Sequence, residues 1–110
     1  MDKRLGLLSI AEKAGKTVSG SDAVMEEIRK KRAKLVILSE DASQNTRKQF
    51  QDKSAYREIP VIFLGNSEEL GHALGKPPRV VVCVLDEGLS NSILKVARES
   101  RKQYGENENL

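Results

Sequence analysis

Cysteine is nearly absent from this 110-residue chain: Cys83 stands alone, so neither an internal disulfide nor a cysteine-rich zinc site can form. A reducing, cytoplasmic setting is the expectation. Aromatic residues are almost as scarce, with two Tyr, two Phe and no Trp. That excludes the aromatic sheet on which many single-strand nucleic-acid binders stack bases. Long apolar runs are missing too. The longest, residues 80–85, falls far short of the roughly 20 residues that a membrane-spanning helix needs. Histidine occurs once, as His72, and a solitary histidine makes no metal centre with its neighbours. The N-terminal Met1-Asp2-Lys3-Arg4 has the charge of a leader, but the following apolar stretch is broken by Ser9 and ends at Glu12-Lys13 without a cleavage pattern, so a secretory signal is not expected.

What the chain does have is 38% apolar and 32% charged residues, the balance of a chain that folds in water. Its length suits one compact domain, expected over residues 1–104, with a disordered tail over 105–110. A net charge of +3 and a pI near 9.1 permit a polyanionic partner without requiring one.

Hydrophobic spacing sets the elements. Leu5, Leu8 and Ala11 recur at helical intervals and Gly15 follows as a C-terminal cap, giving a helix over about 4–14. A short strand at Thr17-Val18 leads to the turn Ser19-Gly20-Ser21, which carries capping chemistry for a second helix with Val24 and Ile28 inward. That helix ends in Arg29-Lys30-Lys31-Arg32. Cations there complement the helix dipole, and a polyanion contact is the competing reading. Leu35-Val36-Ile37-Leu38 reads as a strand covered on both faces, and residues 39–43 lead into a third helix that runs to about Tyr56. Residues 61–64 form another strand. Asn66 with Glu69 spells a capping box for a short helix closed by Gly75. After the stiff loop Lys76-Pro77-Pro78-Arg79 comes a strand over 80–85, then a last helix with Leu89, Ile93, Val96 and Ala97 inward. This alternation predicts an α/β fold, a three-layer α/β/α sandwich around a four-stranded mixed sheet.

Catalytic signals are thin. Ala14-Gly15-Lys16-Thr17 imitates the end of a phosphate-binding P-loop, but Ile10 stands where the first glycine belongs and the segment runs from helix to strand, the reverse of the required order. Cys83 lies inside an apolar strand, where a thiol is an inert small hydrophobe. Glu40-Asp41 could in principle serve acid/base chemistry, yet carboxylates ahead of a helix more simply stabilise its first turn. No enzyme is expected, and no cofactor or metal.

Several spaced motifs agree in order: Val18-Ser19-Gly20 before a helix; Ala33-Lys34-Leu35-Val36-Ile37-Leu38-Ser39-Glu40-Asp41-Ala42; Glu69-Leu70-Gly71-x-Ala73-x-Gly75; and Asp86-Glu87-Gly88. Over residues 5–97 this resembles the L-seven-Ae ribosomal protein family, and within it the short bacterial YlxQ-type branch. The resemblance implies a cytoplasmic, monomeric, translation-associated protein that binds kink-turn RNA, a duplex sharply bent at a bulge flanked by G·A pairs. Ribosomal RNA is among the candidate targets; DNA and membrane are not. It further implies two contact elements: the turn Ser19, Gly20, Ser21, Asp22 and Ala23, and the loop holding Lys76, Arg79, Val80 and Val81. Lys16, Arg79 and Arg29 would neutralise phosphate. Where the family reads G·A edges with an Asn-Glu pair this chain carries Asp22-Ala23, and Glu26 replaces a helical lysine, which implies weaker reading of bases. A translation-associated scaffold with little RNA specificity is the alternative.

Overall fold

The computed structural model describes residues 2–108, and side chains over residues 2–99. Among them helices and strands alternate as α1 (Lys3–Lys13), β1 (Thr17–Ser19), α2 (Ser21–Arg29), β2 (Leu35–Leu38), α3 (Gln44–Tyr56), β3 (Val61–Phe63), α4 (Ser67–Leu74), β4 (Val81–Val84) and α5 (Glu87–Glu108). The strands form one sheet in the order β1-β4-β2-β3. β4 runs antiparallel to both β1 and β2, whereas β2 and β3 are parallel, so the sheet is mixed as expected.

Strand alternation explains why β2 and β4 are apolar at every position. Leu35, Ile37, Val82 and Val84 face one layer, where Leu5 and Leu8 of α1, Leu70 of α4 and Ile93 of α5 pack on them. Val36, Leu38, Val81 and Cys83 face the other, against Val24 and Ile28 of α2 and Phe50 of α3. A strand buried on both sides cannot spare a polar position. The edge strands β1 and β3 are only half-buried and tolerate Thr17 and Ser19.

Helix ends show where residue types predict conformation and where they do not. Gly15 and Gly75 adopt the left-handed conformation after α1 and α4, with Lys16 N donating to Ala11 O at 2.9 Å and Lys76 N to Gly71 O at 2.8 Å. Lys31 (φ 61°) and Glu58 (φ 58°) do the same after α2 and α3 without being glycine. In both cases the same six-residue hydrogen bond closes the turn, from Arg32 N to Glu27 O and from Ile59 N to Ser54 O. Glu40-Asp41 does not cap α3 as expected. Ser43 does, accepting from Thr46 N at 3.1 Å, while Asp41 reaches across to α4 and accepts from Ser67 N at 3.0 Å and Ser67 Oγ at 2.9 Å. Several boundaries differ from the sequence reading. β4 excludes Val80 and Leu85, β3 stops at Phe63, and α5 continues through Glu108, past the expected tail boundary at Gly105. Residues 109–110 of that tail lie outside the described residues.

Cys83 is fully buried, and burial, reinforced by the charge of Glu27, pushes its thiol up to about 12. Native-state labelling at pH 8 is therefore expected to be slow, and Cys83→Ala to cost about 1 kcal/mol or somewhat more in lost packing. The folded pKa lies above the unfolded one, so the protonated thiol favours the folded state below about pH 9, and that contribution is lost as the pH rises toward 12. Chemical denaturation across pH 8–11 checks the sign: wild type should lose more stability than Cys83→Ala, and equal losses would contradict it.

Candidate functional site

The turn between β1 and α2 departs from the sequence reading in an informative way. Gly20, rather than a serine, is the N-cap of α2, and no side chain caps the helix. Its φ of 97° and ψ of 148° lie in a region that side-chain-bearing residues avoid. The first amides of a helix have no partner within it, so those of Ser21, Asp22 and Ala23, all three residues exposed, face outward at the positive end of the dipole.

Backbone pairing then brings a second element alongside. Gly20 N donates to Val81 O at 3.0 Å, extending the ladder in which Ser19 opposes Val82. The loop over 76–81 therefore ends against the turn. Arg79 fastens the two: its Nε donates to Ser19 Oγ at 3.1 Å, and its Nη1 to the carbonyls of Pro77 and Pro78 at 3.3 and 3.2 Å. Its backbone N is held by Ser67 O at 3.0 Å. Val80 is half-buried, with its carbonyl accepting from Ser39 N at 2.9 Å. Val81, by contrast, is buried completely, so it offers the turn a backbone carbonyl and nothing else. Pro77 and Pro78 stand exposed beside Val80 as a small apolar surface.

The loop's path depends on a residue whose role composition does not reveal. A Cβ on Gly71, within α4, would lie 2.7 Å from Pro77 C and 2.8 Å from Lys76 O, and closer still to Pro77 O. Only glycine lets the loop lie flat on the helix. The signal was present in the sequence as a glycine inside a short helix without a turn to explain it. Ser67 and Glu12 are two further residues that sequence reasoning passed over. Glu12 Oε1 lies 2.7 Å from Lys76 Nζ, and Thr17 Oγ1 donates to the same carboxylate. These bonds, that from Lys76 first and that from Thr17 second, hold the Glu12 carboxyl below the usual carboxylate range.

The expected cations are thus unequal. Lys16 is exposed and makes no ion pair among the described residues, Lys76 shares its charge with Glu12, and Arg79 is half-buried as a fastener. Arg29 does not join them. It pairs with Glu26 on its own helix, about 12 Å along α2 from Ser21 at 1.5 Å per residue. Neither His72, exposed on α4, nor the carboxylate of Asp41 approaches the turn in any hydrogen bond or ion pair among the described residues. No group of three or more potential metal ligands occurs among the described residues. The arrangement suits an anion held by backbone amides, with an aliphatic and proline surface at its side.

Comparison with known proteins agrees with this architecture. The sequence pattern of the ribosomal protein L7Ae/L30e/S12e/Gadd45 family matches residues 2–94. The chain is 47% identical over 90 residues to the RNA-binding protein YlxQ of Bacillus subtilis, covering 82% of this chain and 90% of that one. It is 32% identical over 97 residues to the large ribosomal subunit protein eL30 of Methanosphaera stadtmanae, covering 87% and 98% respectively. A solved structure of a protein of unknown function from Bacillus halodurans superimposes with a TM-score of 0.85 at 38% identity, over 87% of this chain and 97% of that one.

Proposed function

Because the chain belongs to the ribosomal protein L7Ae/L30e/S12e/Gadd45 family, we propose that it is a cytoplasmic, monomeric RNA-binding protein that holds kink-turn-type RNA in its bent form. Its two named relatives are an RNA-binding protein and a ribosomal protein rather than enzymes, in keeping with the expectation of no catalysis. A translation-associated target is part of the proposal, with ribosomal RNA the first to examine. One observation carries the reading: the uncapped N-terminus of α2 and the loop over 76–81 are joined side by side through Gly20, Ser19, Val81 and Arg79.

The physics fits the target. A kink crowds phosphates from two strands, and an uncapped helix N-terminus offers them amides and a partial positive charge. Gly20 carries no side chain to hold the RNA backbone away. Val80 with Pro77 and Pro78 can cover a base unstacked at the bulge, while Lys16 neutralises phosphate and Lys76 does so only on release from Glu12. Arg79 serves chiefly by holding the loop to Ser19, and Arg29 would contribute only on release from Glu26. The protein supplies no force on the RNA. It shifts a bent-to-extended equilibrium by its differential affinity for the bent state.

Base reading is the weak point of the surface, because Asp22 accepts hydrogen bonds but cannot donate them and Ala23 does neither through its side chain. Asp22→Asn with Ala23→Glu is expected to improve discrimination for RNA with intact G·A pairs by roughly 1 to 3 kcal/mol, the size of a good base contact. RNA lacking the pairs should gain little. Titrating wild type and double variant against both RNAs at one salt concentration tests the proposal. Equal effects on both, or none, would remove the turn from base reading and favour a protein-binding scaffold.

A further inference from the structure

The basic run that closes α2 is not spent where a solvated helix end would leave it. Glu26 pairs with Arg29 and Lys30, and Glu27 takes Arg32 in a two-pronged bond of 2.6 and 2.7 Å. Lys31 makes no ion pair among the described residues, and neither do Lys34, Lys53 and Arg57, which converge on the same end of the molecule. In their midst Tyr56 is 80% exposed, far more than a ring of that size needs to be at the end of a packed helix. The Arg57 guanidinium lies 5.3 Å from the ring centre. One groove that Tyr56 lines, of about 420 Å³, also has Met25, Ile28, Arg29 and Lys53 in its lining. A second groove that Tyr56 lines, of about 400 Å³, has Lys31, Lys34 and Pro60 in its lining, and Glu58 is the one carboxylate there.

We propose that this end of the molecule, where α2 and α3 finish, is a second RNA contact: one unpaired base stacks on Tyr56 over the Met25 and Ile28 floor, and the adjoining phosphates lie along Lys53, Arg57, Lys31 and Lys34. A flat ring between uncompensated cations matches a nucleotide, which brings a π-face and a negative charge at fixed spacing. An acidic protein segment would use the lysines and leave the ring without a purpose. Reach is not an obstacle. α2 spans about 12 Å from Ser21 to Arg29 at 1.5 Å per residue, so RNA seated at its N-terminus arrives at its C-terminus within a few nucleotides. The proposal rests on the RNA-binding reading of the Gly20 turn and extends it to single-stranded RNA flanking the structured element.

The test uses the full chain, wild type and as Tyr56→Ser and Gly20→Trp, with three probes: a kink-turn hairpin, the same hairpin with a six-nucleotide single-stranded extension at either end, and poly-glutamate as an acidic competitor. Wild type should bind an extended hairpin more tightly than the bare one. Tyr56→Ser should lose roughly 5- to 150-fold on the extended RNA, the worth of one stacked base, and nothing on the bare hairpin. Photo-crosslinking of the extension should mark the peptide containing Tyr56. Far-ultraviolet circular dichroism verifies that Tyr56→Ser stays folded, as its exposure requires. If the extension adds no affinity, or if poly-glutamate displaces it equally from wild type and Tyr56→Ser, the second contact is rejected. Failure of the turn reading has a different signature, in which Gly20→Trp binds the bare hairpin as wild type does.

Discussion

Gly20→Trp is expected to abolish binding of kink-turn RNA, the largest single effect that the surface allows. Nothing lies within 4 Å of a Cβ built on Gly20, so a side chain there meets no core and projects into the open space before the α2 amides. An indole fills the volume that a phosphate must enter. The φ of 97° adds a folded-state penalty of about 1–3 kcal/mol, so thermal unfolding should shift downward without loss of cooperativity. Gly20→Ala separates the two effects, because it carries the same backbone strain with little bulk. It should unfold like the Trp variant yet keep much more of the affinity. If both variants bind equally well, the amides at this turn do not hold the RNA.

Gly71→Ala should have the second largest effect, although residue 71 touches no proposed ligand. Its new methyl would collide with backbone, Pro77 C at 2.7 Å and Lys76 O at 2.8 Å, rather than with a side chain that can swing away. The loop must lift or α4 must shift. Overpacking of this kind costs typically 1–3 kcal/mol, and contact with stiff main chain places it toward the upper end. Lifting the loop also draws Arg79 from Ser19 and Val81 from Gly20, so RNA affinity should fall together with stability. Equilibrium denaturation and a binding titration on the same preparation test the coupling. Lost stability with unchanged affinity would show that the loop's seat on α4 has no part in recognition.

The contrast between Gly20 and Gly71 shows how far the sequence could be read. Strands β2 and β4 were legible because burial on two faces demands an apolar residue at every step, and no surface strand has that signature. The capping box at Asn66 and Glu69 was legible because both of its hydrogen bonds are local, and both are made, at 2.8 and 3.0 Å. Strand order was not. Nothing local in Val81–Val84 says that it lies between β1 and β2, since that depends on pairing across the whole chain. The ends of α2 and α3 were only half legible, because Lys31 and Glu58 take the left-handed conformation that residue type reserves for glycine. At the site, the turn and the loop could each be named from the family resemblance. Their union could not, for it rests on an Arg79 to Ser19 bond between residues 60 positions apart. The Glu26 to Arg29 pair, by contrast, is legible in the sequence, because residues three apart on a helix are neighbours, and it takes Arg29 out of the site.

If this protein recognises RNA by selecting its bent state at the joined turn and loop, a fluorescence-transfer titration should report the selection. A kink-turn labelled at its two helix ends, in buffer without divalent cations, is titrated with wild-type protein. Energy transfer should rise to saturation as the ends approach, with the midpoint at the binding constant measured by an independent method, and Gly20→Trp should leave it flat. Saturable binding of wild type with no change in transfer would contradict the claim.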